Sequence, residues 1–161
     1  MGGKNEFMKQ YRFSPIKNKK TLFESYEYIV SELEKLSQMI FGKALPITVL
    51  KVFPHYLVEY EDLYKIIAEL GSPAEFNSAT SFYAKVNENI KGFGIDYLGI
   101  RIVDPYRLQV GCGDYEIENF KDFKHEYLNK SPYVRQFSDK DMLEVWHPDF
   151  DVLGYVIPKE I

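Results

Sequence analysis

The densest run of chemically capable side chains is DPYRLQVGCGDYEIEN, residues 104–119, where Asp104, Tyr106, Arg107, Gln109, Cys112, Asp114 and Glu116 are interleaved with Gly111 and Gly113. Such a mixture suits a ligand cup, because glycine lets a ligand approach the backbone and arginine can hold a carboxylate through two parallel hydrogen bonds. Just upstream, Tyr97 and Arg101 lie four residues apart and so share a face if the segment is a strand. One offers a hydroxyl over an apolar ring, the other a planar fork of donors. Tyr97, Arg101, Arg107, Cys112, Asp114 and Glu116 therefore form the candidate ligand-contacting set.

Other residues have a chemical and a plainer reading. Asp114, Glu116 and Glu144 could divide acid and base roles if burial separated their pKa values, although solvated strand faces also carry such carboxylates. Cys112 would act as a nucleophile only as a thiolate in an electropositive setting; the neighbouring acids favour a structural thiol. The histidines, His55, His125 and His147, match no metal-ligand spacing and are expected at surface or capping positions. Gly92 and Gly94 give only G-x-G with no helix to follow, which reads as a turn. Tyr83 and Trp146 serve either as core or as walls of the cup.

These residues need elements to position them. Leu22, Tyr26, Ile29, Leu33, Leu36 and Ile40 recur at spacings of four and three, which predicts a helix over 21–41, with Thr21 and Glu24 as a capping box and Gly42 as its C-terminal cap. Residues 47–53, ITVLKVF between two prolines, read as a buried strand, and 58–70 as a helix stopped by Gly71 and Pro73. Strands are expected at 81–86 and 95–103, joined through the glycine-containing NENIKGFG bend, and at 108–117. Alternation in that last strand puts Val110, Cys112, Asp114 and Glu116 on one face and Gly111, Gly113, Tyr115 and Ile117 on the other. A short helix at 120–128 and a hairpin of 142–146 with 152–157 complete the chain. After the leading helix the order is β-α-β-β twice, an expected duplication of shape without a sequence repeat.

Composition bounds the rest. With 161 residues, 45% of them hydrophobic and 16% aromatic, the chain can bury a core without staples, which excludes a disordered or fibrous protein. A net charge of −4 lacks the basic footprint of a nucleic-acid binder. The lone Cys112 forms no internal disulfide, and no run approaches the roughly 18 apolar residues of a membrane helix. A soluble cytoplasmic protein, monomer or homodimer, is expected, with no nucleic acid or membrane partner. MGGKNEF before Met8 reads as a leader over 1–7; residues 8–161 are expected to form one domain, with a helix at 20–42 and half-modules at 45–105 and 106–161.

The arrangement resembles the vicinal oxygen chelate superfamily, the glyoxalase and bleomycin-resistance fold, whose paired β-α-β-β-β modules curl bent sheets around a cup. The strand count read here is one short per module. MLEVWHPDFDVLGYVI, residues 142–157, is similar to the superfamily's closing hairpin, with the turn at 147–151. The strand at 112–117 followed by Glu118, Asn119 and Phe120 resembles the opening of a second module, and the leading helix resembles the YecM-like branch. The resemblance covers about residues 45–161 and implies an α+β fold of paired β-α-β-β(-β) modules, a curved mixed sheet around a cup, with an N-terminal helix. In metal-dependent relatives a histidine on a module's first strand and a glutamate on its last converge on a divalent ion. Here the histidine position falls on Cys112 and the glutamate position on Gly154; Leu45, Pro46 and Ile47 open the first module without a histidine, and residues 97–101 supply no carboxylate. No cofactor is expected. The leading functional expectation is metal-free binding of a small polar or anionic molecule. The alternatives are a lyase, isomerase or dioxygenase with a divalent ion held by a set drawn from Cys112, Glu116, Glu144 and His147, and a protein-interaction module.

Overall fold

The computed structural model describes residues 11–159; the expected leader lies outside them. Helix α1, Lys19–Phe41, is built on the predicted stripe, with Leu22, Tyr26, Ile29, Leu33 and Leu36 all fully buried. Burying each such side chain is worth about 1.5–3 kcal/mol, so this face alone anchors the helix. Its start differs from the expected capping box. Asn18 is the N-cap and accepts the Thr21 N–H at 2.9 Å, because an amide oxygen one residue outside the helix reaches the orphan donors directly. The C-terminus ends as expected, with Gly42 left-handed at φ 75° and its N–H on the Gln38 carbonyl.

Eight strands follow in one mixed sheet, with two further helices: β1 Ile47–Val52, α2 Leu57–Leu70, β2 Ser72–Pro73, β3 Ser81–Ile90, β4 Phe93–Arg101, β5 Gly111–Ile117, α3 Phe120–Tyr127, β6 Val134–Gln136, β7 Leu143–Val145 and β8 Val152–Pro158. The order across the curled sheet is β2-β3-β4-β1-β5-β8-β7-β6. The chain therefore forms two modules of identical plan, each a strand, a helix and three strands, meeting where β1 pairs antiparallel with β5. Within each module the first and last strands run parallel and the remaining neighbours antiparallel. The missing strand of each module is β2 or β6, two and three residues long, too short to show a period of two in sequence.

Two boundaries move. β5 starts at Gly111 rather than 108, because residues 104–110 form an irregular crossing with Tyr106 and Leu108 exposed. β3 runs longer than expected, to Ile90, β4 keeps its expected length but lies two residues earlier, and the two join through Lys91 and Gly92, both at positive φ (55° and 89°), the two-residue turn whose twist matches a hairpin.

One sheet face is the main core: Leu50, Val52, Leu98, Ile100, Tyr115 and Val156 pack beneath α1 and α2. Two tyrosines bolt α1 to the sheet, Tyr26 donating to the Gly99 carbonyl at 2.9 Å and Tyr115 to the Leu33 carbonyl. The opposite face carries only a small apolar cluster of Phe53, Cys112 and Leu153, with Trp146 and Tyr155 packed on it. No helix among the described residues is long and apolar enough to cross a membrane.

Candidate functional site

The helix-free face holds the candidate residues, and strand register shows how. Because paired residues share a face, one row across the sheet reads Lys85, Tyr97, Val49, Asp114, Tyr155, Glu144, Arg135 from β3 to β6. The next row reads Tyr83, Gly99, Lys51, Cys112, Leu153. Arg101 and Glu116, two residues beyond these rows on β4 and β5, face the same way. Five of the six expected ligand residues thus share one face by alternation. The sixth, Arg107, arrives from the crossing loop, with its guanidinium 5.0 Å from the Phe53 ring centre; Arg101 stands 5.8 Å from the same ring.

Arg107 is held by a relay that sequence reading did not find. His55 is buried, not on the surface: its Nε2 donates to the Arg107 carbonyl at 2.7 Å and its Nδ1 lies 2.8 Å from Ser14 Oγ. Ser14 Oγ donates to the Glu59 carboxylate, which also accepts the backbone N–H groups of Ile16 and His55, at 2.6 and 2.7 Å. Glu59 is buried in the first turn of α2, where backbone donors and the helix dipole favour a carboxylate. The N-terminal segment, the start of α2 and the Arg107 loop are thereby fastened together. Tyr11, stacked on the His55 ring at 3.6 Å, closes the stack.

Three cations stand near one another here, and among the described residues Lys51, Arg101 and Arg107 form no ion pair. Lys51 Nζ donates to Ser81 Oγ at 3.1 Å and lies 5.4 Å from the Tyr83 ring centre. Arg107 Nε is sealed from water and has no hydrogen-bond partner, a costly state for a charged group.

Cys112 is buried in the apolar cluster with Phe53 and Leu153. Burial pushes its thiol up to about 12, against the pull of Lys51 and Arg101. Cations are therefore present, yet desolvation wins and the thiol stays protonated, the structural role expected for it. Burial likewise raises Tyr83 and Tyr155, which remain phenols and hydrogen-bond donors. Asp114 is pushed up to about 7 by burial, with Lys51 lowering it and Glu116 raising it further. Glu116 accepts from Thr48 Oγ1 at 2.9 Å, and Glu144 accepts from Arg135 Nε at 2.6 Å and from Tyr155 at 3.3 Å.

The non-standard metal set does not assemble. Glu144 is engaged by Arg135, Glu116 by Thr48, and His147 sits in the closing turn, 3.8 Å from Asp149 and against Tyr133 and Phe150. Among the described residues no group of three or more His, Cys, Asp or Glu side chains is placed to hold a metal ion. Gly154, the position set against a ligating glutamate, faces the main core: it is the register neighbour of Gly113, and a Cβ there would stand 2.4 Å from the Tyr115 ring. The β8 residues that do face the same side as Cys112 and Asp114 are Leu153, Tyr155 and Ile157.

No family model matches the chain, and no curated protein matches it in sequence. A solved structure described as "Structural Genomics, Protein EC4020" is similar, with a TM-score of 0.63 and 10% identity over 94% of this chain and 93% of that chain. At that identity the likeness shows a common fold over nearly the whole length of both chains, and it carries no chemistry.

Proposed function

We propose that this is a glyoxalase-like protein of the vicinal oxygen chelate type, YecM-like branch, that binds a small polar or anionic molecule in the cup without a metal. The paired modules and the single helix-free face support the family reading. The observation that carries the binding reading is the convergence of Arg101 and Arg107 on Phe53, with Lys51 on the same sheet face and none of the three in an ion pair among the described residues, one guanidinium nitrogen being sealed and unpartnered. Unsatisfied cations beside an aromatic face form a receptor for a carboxylate or phosphate attached to an apolar body. Burial of the free thiol Cys112 accords with a reducing compartment such as the cytoplasm.

Calorimetric titration with hexanoate and with inorganic phosphate tests this reading. Saturable binding of at least one of them, indifferent to a metal chelator and weakened at least about tenfold by Arg101→Gln, is the expected result. Binding that disappears with chelator would favour the divalent-metal lyase, isomerase or dioxygenase instead. Failure of both anions to bind, or indifference to Arg101→Gln, overturns the anion site.

A second reading, a protein-interaction module, draws on the exposure of Leu57, Val58 and Leu108, at 65, 68 and 70%. Concentration-independent monomeric behaviour in light scattering would remove self-association from it.

A further inference from the structure

The two modules put different charge on the helix-free face: Lys51 and Arg101 from the first, and Asp114, Glu116 and Glu144 from the second, where Arg135 offsets Glu144. Lys51 and Asp114 stand on neighbouring strands one step apart, since Lys51 pairs with Cys112 and Asp114 with Val49. Strand geometry sets their backbones roughly 8 Å apart, one strand spacing across and two residues along. An ion pair is within reach of a lysine, yet Lys51 turns the other way, to Ser81 and the Tyr83 ring. Asp114 is left with no side-chain hydrogen bond or ion pair among the described residues, whereas Glu116 and Glu144 are both engaged.

Each half thus keeps an ionisable group of its own sign outside any ion pair, Lys51 acting on Asp114 through space without direct contact although the chain places the partners side by side. Partly buried groups left this way cost free energy that a ligand with matching charges would recover. A plain anion would satisfy only the first half.

Building on the anion-binding reading above, we infer that the ligand is bipolar: a small zwitterion lying across the β1–β5 seam, its carboxylate or phosphate toward Lys51 and Arg101 and its ammonium on Asp114. Lys51 Nζ is turned to Ser81 on β3 while Asp114 stands on β5, so the charged ends lie on separate strands and suit a charge spacing of several bonds, as in an ω-amino acid, better than the adjacent charges of an α-amino acid. Tyr83, a phenol, flanks the path with a donor, Tyr155 gives its proton to Glu144, and the Phe53 cluster supplies an apolar wall for the intervening methylenes.

Titration of the full chain at pH 8 with 6-aminohexanoate, hexanoate and hexylamine tests it, in the wild type and in Asp114→Asn and Arg101→Gln. The expected order is 6-aminohexanoate tightest by at least about tenfold, the scale of one charge-assisted hydrogen bond. Asp114→Asn should weaken 6-aminohexanoate while hexanoate tightens, a crossover that loss of folding would not produce. Arg101→Gln should weaken both. If hexanoate binds as well as 6-aminohexanoate and Asp114→Asn moves them together, the bipolar ligand is wrong and the anion site stands. If neither binds, or Arg101→Gln changes nothing, the anion site has failed as well.

Discussion

The two modules share one strand plan and fill it in opposite ways. On the core side, Leu98 and Leu50 of the first module stand in register with Gly113 and Gly154 of the second. The leucines fill their own space; the glycines give theirs to α1 and to Tyr115, because Leu33 and the Tyr115 ring occupy the volume where a Cβ would be. On the cup side the first module presents Lys51 and Arg101, the second Asp114, Glu116 and Glu144. A common skeleton thus sets the geometry, while each module's residues decide what packs behind it and which charge lies on the helix-free face.

The largest effects should break the packing half of this contrast, in opposite senses. Leu50→Ala removes volume and should cost about 3–4 kcal/mol in denaturant unfolding. Gly113→Ala adds one carbon, 2.5 Å from Leu33 Cδ1 and 2.7 Å from the Val49 carbonyl oxygen, and should cost about 2–3 kcal/mol although alanine is the better strand residue. Tolerance of Gly113→Ala would mean that α1 does not sit as closely on β5 as described.

Next in size is Asp114. Its folded pKa, about 7, lies above the ordinary carboxyl value of 3.8, so the folded state binds the proton more tightly than the unfolded chain. Stability should fall as pH rises from about 4 to about 7 and then level off, since ionisation is penalised only in the fold. Lys51 opposes this, Glu116 adds to it, and the neighbouring Cys112, Tyr83 and Tyr155 stay neutral. Asp114→Asn should therefore raise unfolding free energy by roughly 2–4 kcal/mol at pH 8 and by little at pH 4. An equal gain at both pH values would show that charge is not the cause. Smaller still, Arg101→Gln should cost at least about tenfold in hexanoate affinity, and Glu116→Gln less than about threefold, because Thr48 already engages that carboxylate.

Much of this architecture is legible along β5, where strict alternation of small or apolar residues with Cys112, Asp114 and Glu116 separates the faces without tertiary information. Lys51, a single cation inside ITVLKVF, and Tyr155 inside VLGYVIP do not stand out in sequence; only register puts them beside Cys112 and Asp114. The resemblance sets Gly154 against a ligating glutamate, whereas counting outward from Leu153 puts it on the core side. β2 and β6 carry too few residues for any pattern. His55 was illegible for another reason: its burial depends on Ser14, 41 residues away, and no local periodicity reports so distant a strap.

The most direct test of an anion-binding, helix-free face is residue-resolved NMR during titration with hexanoate at neutral pH. Saturable shifts confined to Lys51, Arg101, Arg107 and the Phe53–Cys112 cluster, with the amides of α1 and α2 unmoved, are predicted. Shifts centred on the helices, or none that saturate, would contradict the account.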